Sequence, residues 1–562
     1  MLAAPPDISP LLVDDVEPRP PAAALAASIA AASLAACGGG SGGGNPIPPP
    51  TASITDQQAS RFLGQASMGA TREQMARVRT LGYSGWLDEQ FAMPQQGTRW
   101  DWLLAGGYGV DTNKNSQAGF DSAMWRKLIA SPDTLRQRVA LALSEIMVVS
   151  IDGLVGGGWK AFAASGYADL LEANAFGTYR NLLQQVSTSP AMGSYLTFRG
   201  NVKANTAKGS LPDENYAREL MQLFTLGLYE LNLDGSLKLT GGVPKETYGQ
   251  ADVTGLARVF TGWDFNTSST DTDHPQEYQR APMAQVASRH EFGAKTFLGT
   301  TIPAGTDGVA SLQLALDAIY AHVNLSPFVS RQLIQRLVTS NPSAAYVARV
   351  ATVFNDNGAG VKGDLKAVLK AILLDDEARS DAHLADPAFG KLREPMLRFL
   401  GWARAFNTTS PSNVWAVPNT SDPGTRLGQS PGRSPSVFNF FRPGYVPPNS
   451  AIGADGLEAP EFQITNESSV VGYVNYMQRA LSTGIGDVKA DYTAVLPLVP
   501  DSQALLDELN AVLAAGELSA ATLATMKTAL DSIGTSTATG ITNRLYAALT
   551  LVLAAPEFIT QK

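Results

Sequence analysis

Glu214, Arg218, Glu219, Asp252 and Arg258 are the residues most able to do chemistry together. A carboxyl that keeps its proton beside one that loses it is the minimum for general acid–base catalysis. An arginine close to one of them separates their pKa values. Glu214, Glu219 and Asp252 supply the carboxyls, and Arg218 and Arg258 the cations. Asn215 and Trp263 add a hydrogen-bonding and a stacking group. Two such carboxyls about 5–10 Å apart across a groove would suit hydrolysis of a glycosidic bond. The plainer reading is architectural. Glu214 and Arg218 are an i,i+4 pair, and Asp252 lies in a first helical turn, where the dipole favours a negative charge. His290 fits a general base or a hydrogen-bonded structural histidine, and Lys295 and Arg442 are candidate binding cations. Asp271, Asp273, His274 and Glu277 crowd together with no standard ligand spacing, so no metal site is assigned. A phosphate-cradling glycine loop, a nucleophile elbow and a zinc-binding HExxH helix are all missing from the sequence.

These residues need two helices to hold them. Ser210 with Asp213 three residues on reads as a capping box, and Gly227 as a left-handed stop. Tyr216, Leu220, Leu223 and Phe224 then form one apolar stripe, with Asn215, Arg218, Glu219 and Gln222 on the other side. A second helix is expected over 250–261, ended by Gly262. Between them the alternation around Asp234-Gly235 predicts a β-hairpin. The stretch 134–147 is apolar at Leu135, Val139, Leu143 and Ile146, which predicts a buried helix. Glu145 on it must then pair, with Arg138 as one candidate, or line a cleft, because a lone buried carboxylate is costly. The long Pro/Gly/Ser/Asn-rich stretch 407–450 ends in Phe438, Phe440 and Phe441, with Arg433 and Arg442 as polar tips. These could form an aromatic wall with Trp263 and Trp402. The fold class expected is all-α: one large multi-helix domain over 57–562 with small β-hairpin insertions and long loops.

The stretches ENYARELMQLFTLGLY (214–229) and YGQADVTGLARVFTGW (248–263) resemble the signature of the bacterial domain-of-unknown-function 1800 family. RFLGQASMGAT (61–71), HEFGAKTFLG (290–299) and SPSVFNFFRPGY (434–445) match it too. The resemblance runs from about Ala59 to the C-terminus. It implies an exported, mostly helical protein without an assigned activity. It also implies a possible partner, because members are often encoded beside a second uncharacterised family resembling sulfatases and phosphatases. Many members carry a histidine where this chain has Phe224.

The 562 residues carry a formal net charge of −9 with scattered basic residues, which excludes nucleic acid as an expected partner. A hydrophobic share of 44% with 17% charged is that of a chain with a real core. The single cysteine, Cys37, follows an Ala-rich apolar run and closes the lipobox Leu34-Ala35-Ala36-Cys37 of a bacterial lipoprotein signal. Residues 1–37 are therefore read as a signal peptide with a lipidated Cys37, and residues 38–56 as a Gly/Ser/Pro linker. Acyl chains on Cys37 would anchor the protein to a membrane. Gly38, in place of the aspartate that retains such proteins at the inner membrane, favours the outer membrane, with the body periplasmic or surface-facing. The region before the apolar run is acidic, with Arg19 its only cation, unlike an ordinary signal.

Overall fold

The computed structural model describes residues 53–205, 207–267 and 275–562. The lipobox, the linker as far as Ala52, and Asp271, Asp273 and His274 lie outside the described residues, and the end expected for the linker is already helical, with Thr55 capping the helix Asp56–Ala66. Those described residues contain 22 α-helices and four two-stranded antiparallel sheets, so the fold is all-α with small hairpins. None of the helices is long and apolar enough to cross a membrane.

The helix Thr134–Ile146 sits in the middle of the body, with all but Ser144 buried. It packs against Arg72–Ala92, Lys160–Asn174 and Leu325–Leu337. The last of these pairs in turn with Ala344–Asn355, and the C-terminal helices Glu467–Thr483 and Ala538–Ala554 pair together. Caps delimit many of the helices in the expected way. Thr71, for example, accepts a hydrogen bond from the Gln74 amide at 3.1 Å. Arg72–Ala92 is bent at Gly82, whose φ of +72° admits a left-handed turn that a side chain would resist.

The central region departs from its expected form. Ser210 caps no helix; its backbone pairs with Asn205. The α-helix covers only Asn215–Glu219, and Leu220–Thr225 continues it as a π-helix. The Thr225 hydroxyl donates to the Leu220 carbonyl at 2.6 Å, five residues back, holding that wider turn. The second helix spans Gln250–Ala257 with a short 3-10 turn to Phe260, and Gly262 stops it at φ +84°. The hairpin forms where expected, with Leu231 bridged to Leu237 around Asp234-Gly235 and Leu239–Thr240 paired with Val243–Pro244. A second hairpin pairs Lys295–Phe297 with Thr300–Ile302. Gly255 lets the second helix lie on this hairpin, since a Cβ there would run into the Thr296 carbonyl.

Trp402 and Trp263 do not join the phenylalanines of 438–441. Trp402 is fully buried in the helix Pro395–Ala405, its indole N–H donating to the Tyr492 hydroxyl at 3.0 Å. Trp263 is buried in its own short pairing with Gln285. Arg433 is no exposed tip either. It is buried and paired with Asp121 at 2.7 Å.

Candidate functional site

The chemistry-bearing residues of the central region split into separate local roles. Glu214 ties the two helices together. It accepts from Gln250 Nε2 and Thr254 Oγ1, each at 2.7 Å, and from Arg218 at 3.2 Å. Asn215 is exposed, and its side-chain amide donates to Thr197 Oγ1 at 3.4 Å. Both carboxylate oxygens of Asp252 are spent on backbone amides, those of Gly249 at 2.9 Å and Leu298 at 2.7 Å. Arg258 donates to the Ala294 carbonyl at 3.4 Å, and the buried Lys295 to Gly293 at the same distance. Burial lowers the Lys295 pKa, Glu291 opposes this, and Arg258 lowers it further. His290 is fully buried with Nδ1 3.0 Å from the Thr261 carbonyl and Nε2 3.5 Å from Ser311 Oγ. Burial pushes its pKa down, which favours a neutral ring donating from Nδ1. Asp252, Arg258, Lys295 and His290 thus hold the 290–302 hairpin in place.

Glu219 is the exception. It is buried, its Oε2 has no hydrogen-bond partner among the described residues, and burial raises its pKa against the pull of Arg218. The Tyr248 hydroxyl is likewise buried without a partner among the described residues, and burial pushes it to about 12. The indole N–H of Trp263 is also unsatisfied among the described residues.

An open cleft of about 560 Å³ lies elsewhere, and it gathers residues far apart in the chain. One wall is the π-helix and the turn after it, with Gln222, Leu223 and Leu228. The hairpin adds Leu231 and Leu237, the helix Leu325–Leu337 adds Phe328, Arg331 and Gln335, and the loop before Tyr445 adds Phe438 and Arg442. Glu145 and Ile146 close the floor. The size and the largely apolar lining with a few polar groups are those of a ligand site. Leu228, Tyr229 and Leu237 are exposed large apolar side chains among its lining residues. Glu458 is held in the lining by Arg331 at 3.1 Å and Gln335 Nε2 at 2.8 Å. Two of the stretches that carry the family resemblance, 214–229 and 434–445, meet here. Phe224 does not reach the cleft; it is fully buried, with the Tyr179 hydroxyl on its carbonyl at 2.6 Å.

Behind the floor is a charge cluster that local sequence signals did not disclose. Glu145, Glu394, Glu461, Lys391, Arg138 and Arg336 are all buried. Glu145 pairs with Arg336 Nε at 3.6 Å, while Arg138 donates to the Arg336 carbonyl at 2.5 Å. Arg138 is therefore a neighbour and not the closest partner of Glu145. Lys391 lies 2.9 Å from Glu461 and 3.6 Å from Glu394. Burial raises Glu145 well above the carboxylate range, the Glu394 charge adds to that, and Arg336 opposes it. Burial also works against ionised Glu394, but Lys391, a hydrogen bond from Glu145 and Arg138 outweigh it and hold it at about 2. Glu145 thus carries the proton of a carboxyl pair whose charge rests on Glu394. A second buried network, Arg99 with Asp169 and Glu172 and Lys127 with Glu172, contributes no group to the cleft. No three His, Cys, Asp or Glu side chains among the described residues gather as a metal site.

Fold and site together define a helical protein with a substantial, mostly apolar cleft lined in part by its hairpin insertion. The chain belongs to the family described as "Protein of unknown function (DUF1800)", whose model matches residues 61–560. No curated protein and no solved structure matches the chain.

Proposed function

We propose that this is an exported cell-envelope protein that works by binding a partner in its cleft. A lipid on Cys37 would hold it on a membrane, the outer one, with the body periplasmic or surface-facing. The partner class favoured is an exported enzyme system, of which a sulfatase-like protein is the first candidate. The observation that carries this reading is the cleft itself, whose lining includes the exposed apolar Leu228, Tyr229 and Leu237. Exposed apolar groups gathered at one site mark interaction surfaces.

Two experiments test it. Palmitate labelling in cells should mark the wild type and not Cys37→Ala. A photo-reactive residue at Leu237 should cross-link a sulfatase-like partner, and one at Val309, exposed but outside the cleft lining, should not. Equal cross-linking at both positions would remove the binding reading.

A hydrolase acting on an envelope or extracellular polymer is a second reading. It is favoured by one observation: Glu145, held as an acid, and Glu458, an ion-paired carboxylate, both line the cleft. The pair differs from the Glu214, Glu219 and Asp252 set expected from sequence. Loss of polymer turnover in both Glu145→Gln and Glu458→Gln would establish it, and full turnover in both would dismiss it.

A further inference from the structure

We propose that the cleft takes an apolar peptide segment ending in a free carboxylate, that terminus lying on Arg442. This rests on the cleft being a binding site and specifies what it binds. The charges decide the polarity of the ligand. Among the described residues, Arg331 is spent on Glu458, and Arg336 lies against Glu145. Arg442 makes no ion pair among them. Its guanidinium stacks 5.1 Å above the Phe438 ring, and its backbone amide is fixed by Gln463 Oε1 at 2.7 Å. A stacked guanidinium keeps its N–H edge free to fork a carboxylate.

The walls decide between a peptide and an acyl chain. Gln222 makes no side-chain hydrogen bond among the described residues, and Gln332 spends an amide hydrogen on the Leu223 carbonyl at 3.2 Å. A ligand that strips water from such amides must offer polar groups in return. A peptide backbone does so at every residue, whereas an alkyl chain cannot. Leu237 and Phe328 take the apolar side chains.

The test uses the full chain and fluorescein-labelled hexapeptides ending in Leu-Val-Phe, Val-Leu-Leu or Ile-Val-Leu, each with a free or amidated C-terminus, read by fluorescence anisotropy. The free-carboxylate forms are expected to bind about tenfold tighter than the amides, as for a charge-assisted hydrogen bond. Arg442→Ala should erase that difference, and Leu237→Asp should weaken both forms. If acid and amide bind equally, with Leu237→Asp still weakening both, the terminal-carboxylate inference falls and cleft binding stands. If none of the peptides binds, or Leu237→Asp changes nothing, both fall. Displacement by dodecanoate more readily than by unlabelled peptide assigns the site to a lipid carboxylate and overturns the peptide.

Discussion

Glu145→Gln and Glu394→Gln are the same chemical change made on two touching carboxyls, and they should differ sharply in cost. Glu145 already carries a proton, so an amide replaces a neutral donor with a neutral donor of the same shape. The expected loss is about 1 kcal/mol or less. Glu394 is the ionised member. Its oxygens face Lys391 at 3.6 Å and Gln429 Nε2 at 2.7 Å, and it sits at the N-cap of the helix Pro395–Ala405, where the dipole favours its charge. Removing that charge leaves Lys391 with Glu461 alone and takes from buried Arg138 the negative neighbour that most favours its charge, and should cost about 3–5 kcal/mol. The folded unit Ser53–Lys562 holds roughly 510 residues. At about 2.1 cal/mol/K per residue its melting entropy is about 1.1 kcal/mol/K, so each kcal/mol moves Tm by about 1 °C. Scanning calorimetry at pH 7 should therefore show Glu394→Gln about 3–5 °C below wild type and Glu145→Gln within about 1 °C. Equal losses, or the larger loss at Glu145, would refute the proton's placement.

The same pair makes stability pH-dependent. Glu394 has its pKa depressed to about 2, so its contribution is present above the unfolded value of 4.5 and is lost as pH falls through 2. Acid titration of Tm should show this loss in wild type and a flatter profile in Glu394→Gln. His290 is held neutral with its pKa below 6.5, so stability should decline as pH drops below 6.5, an effect that His290→Gln should flatten in the same titration. Gly255→Ala would push a Cβ into the Thr296 carbonyl, a backbone atom that cannot step aside. About 3 kcal/mol or more of destabilisation is expected, with faster hydrogen exchange over 295–302. Arg99→Met should break the second buried network and cost about 3–5 kcal/mol, read as a similar fall in Tm without loss of cleft binding.

Features written in local patterns were legible from residue order. The Asp234-Gly235 hairpin is a two-residue turn rule, and the burial of 134–147 is a helical periodicity. The carboxyl on that apolar helix was already a problem needing a partner or a cleft, and it has both. Less was legible where two local rules competed. The Ser210–Asp213 pattern fits a capping box, yet the chain pairs Ser210 with Asn205 and leaves Glu214 at the helix start. The wide turn at 220–225 has no sequence signature of its own, because it depends on one hydroxyl reaching back five residues.

Residue order alone determined the helical class, the hairpin, the family and the expectation of a lipid on Cys37, since each is carried by neighbours within a turn or a short motif. Tertiary structure alone decided where the cleft is and which charges meet. Glu145, Gln222, Arg331, Arg442 and Glu458 come from five separate segments. Their contact depends on how helices stack, a non-local outcome that no periodicity encodes. The same stacking sent Asp252, Lys295 and His290 to structural posts, because a buried polar group settles on the nearest backbone partner that satisfies it.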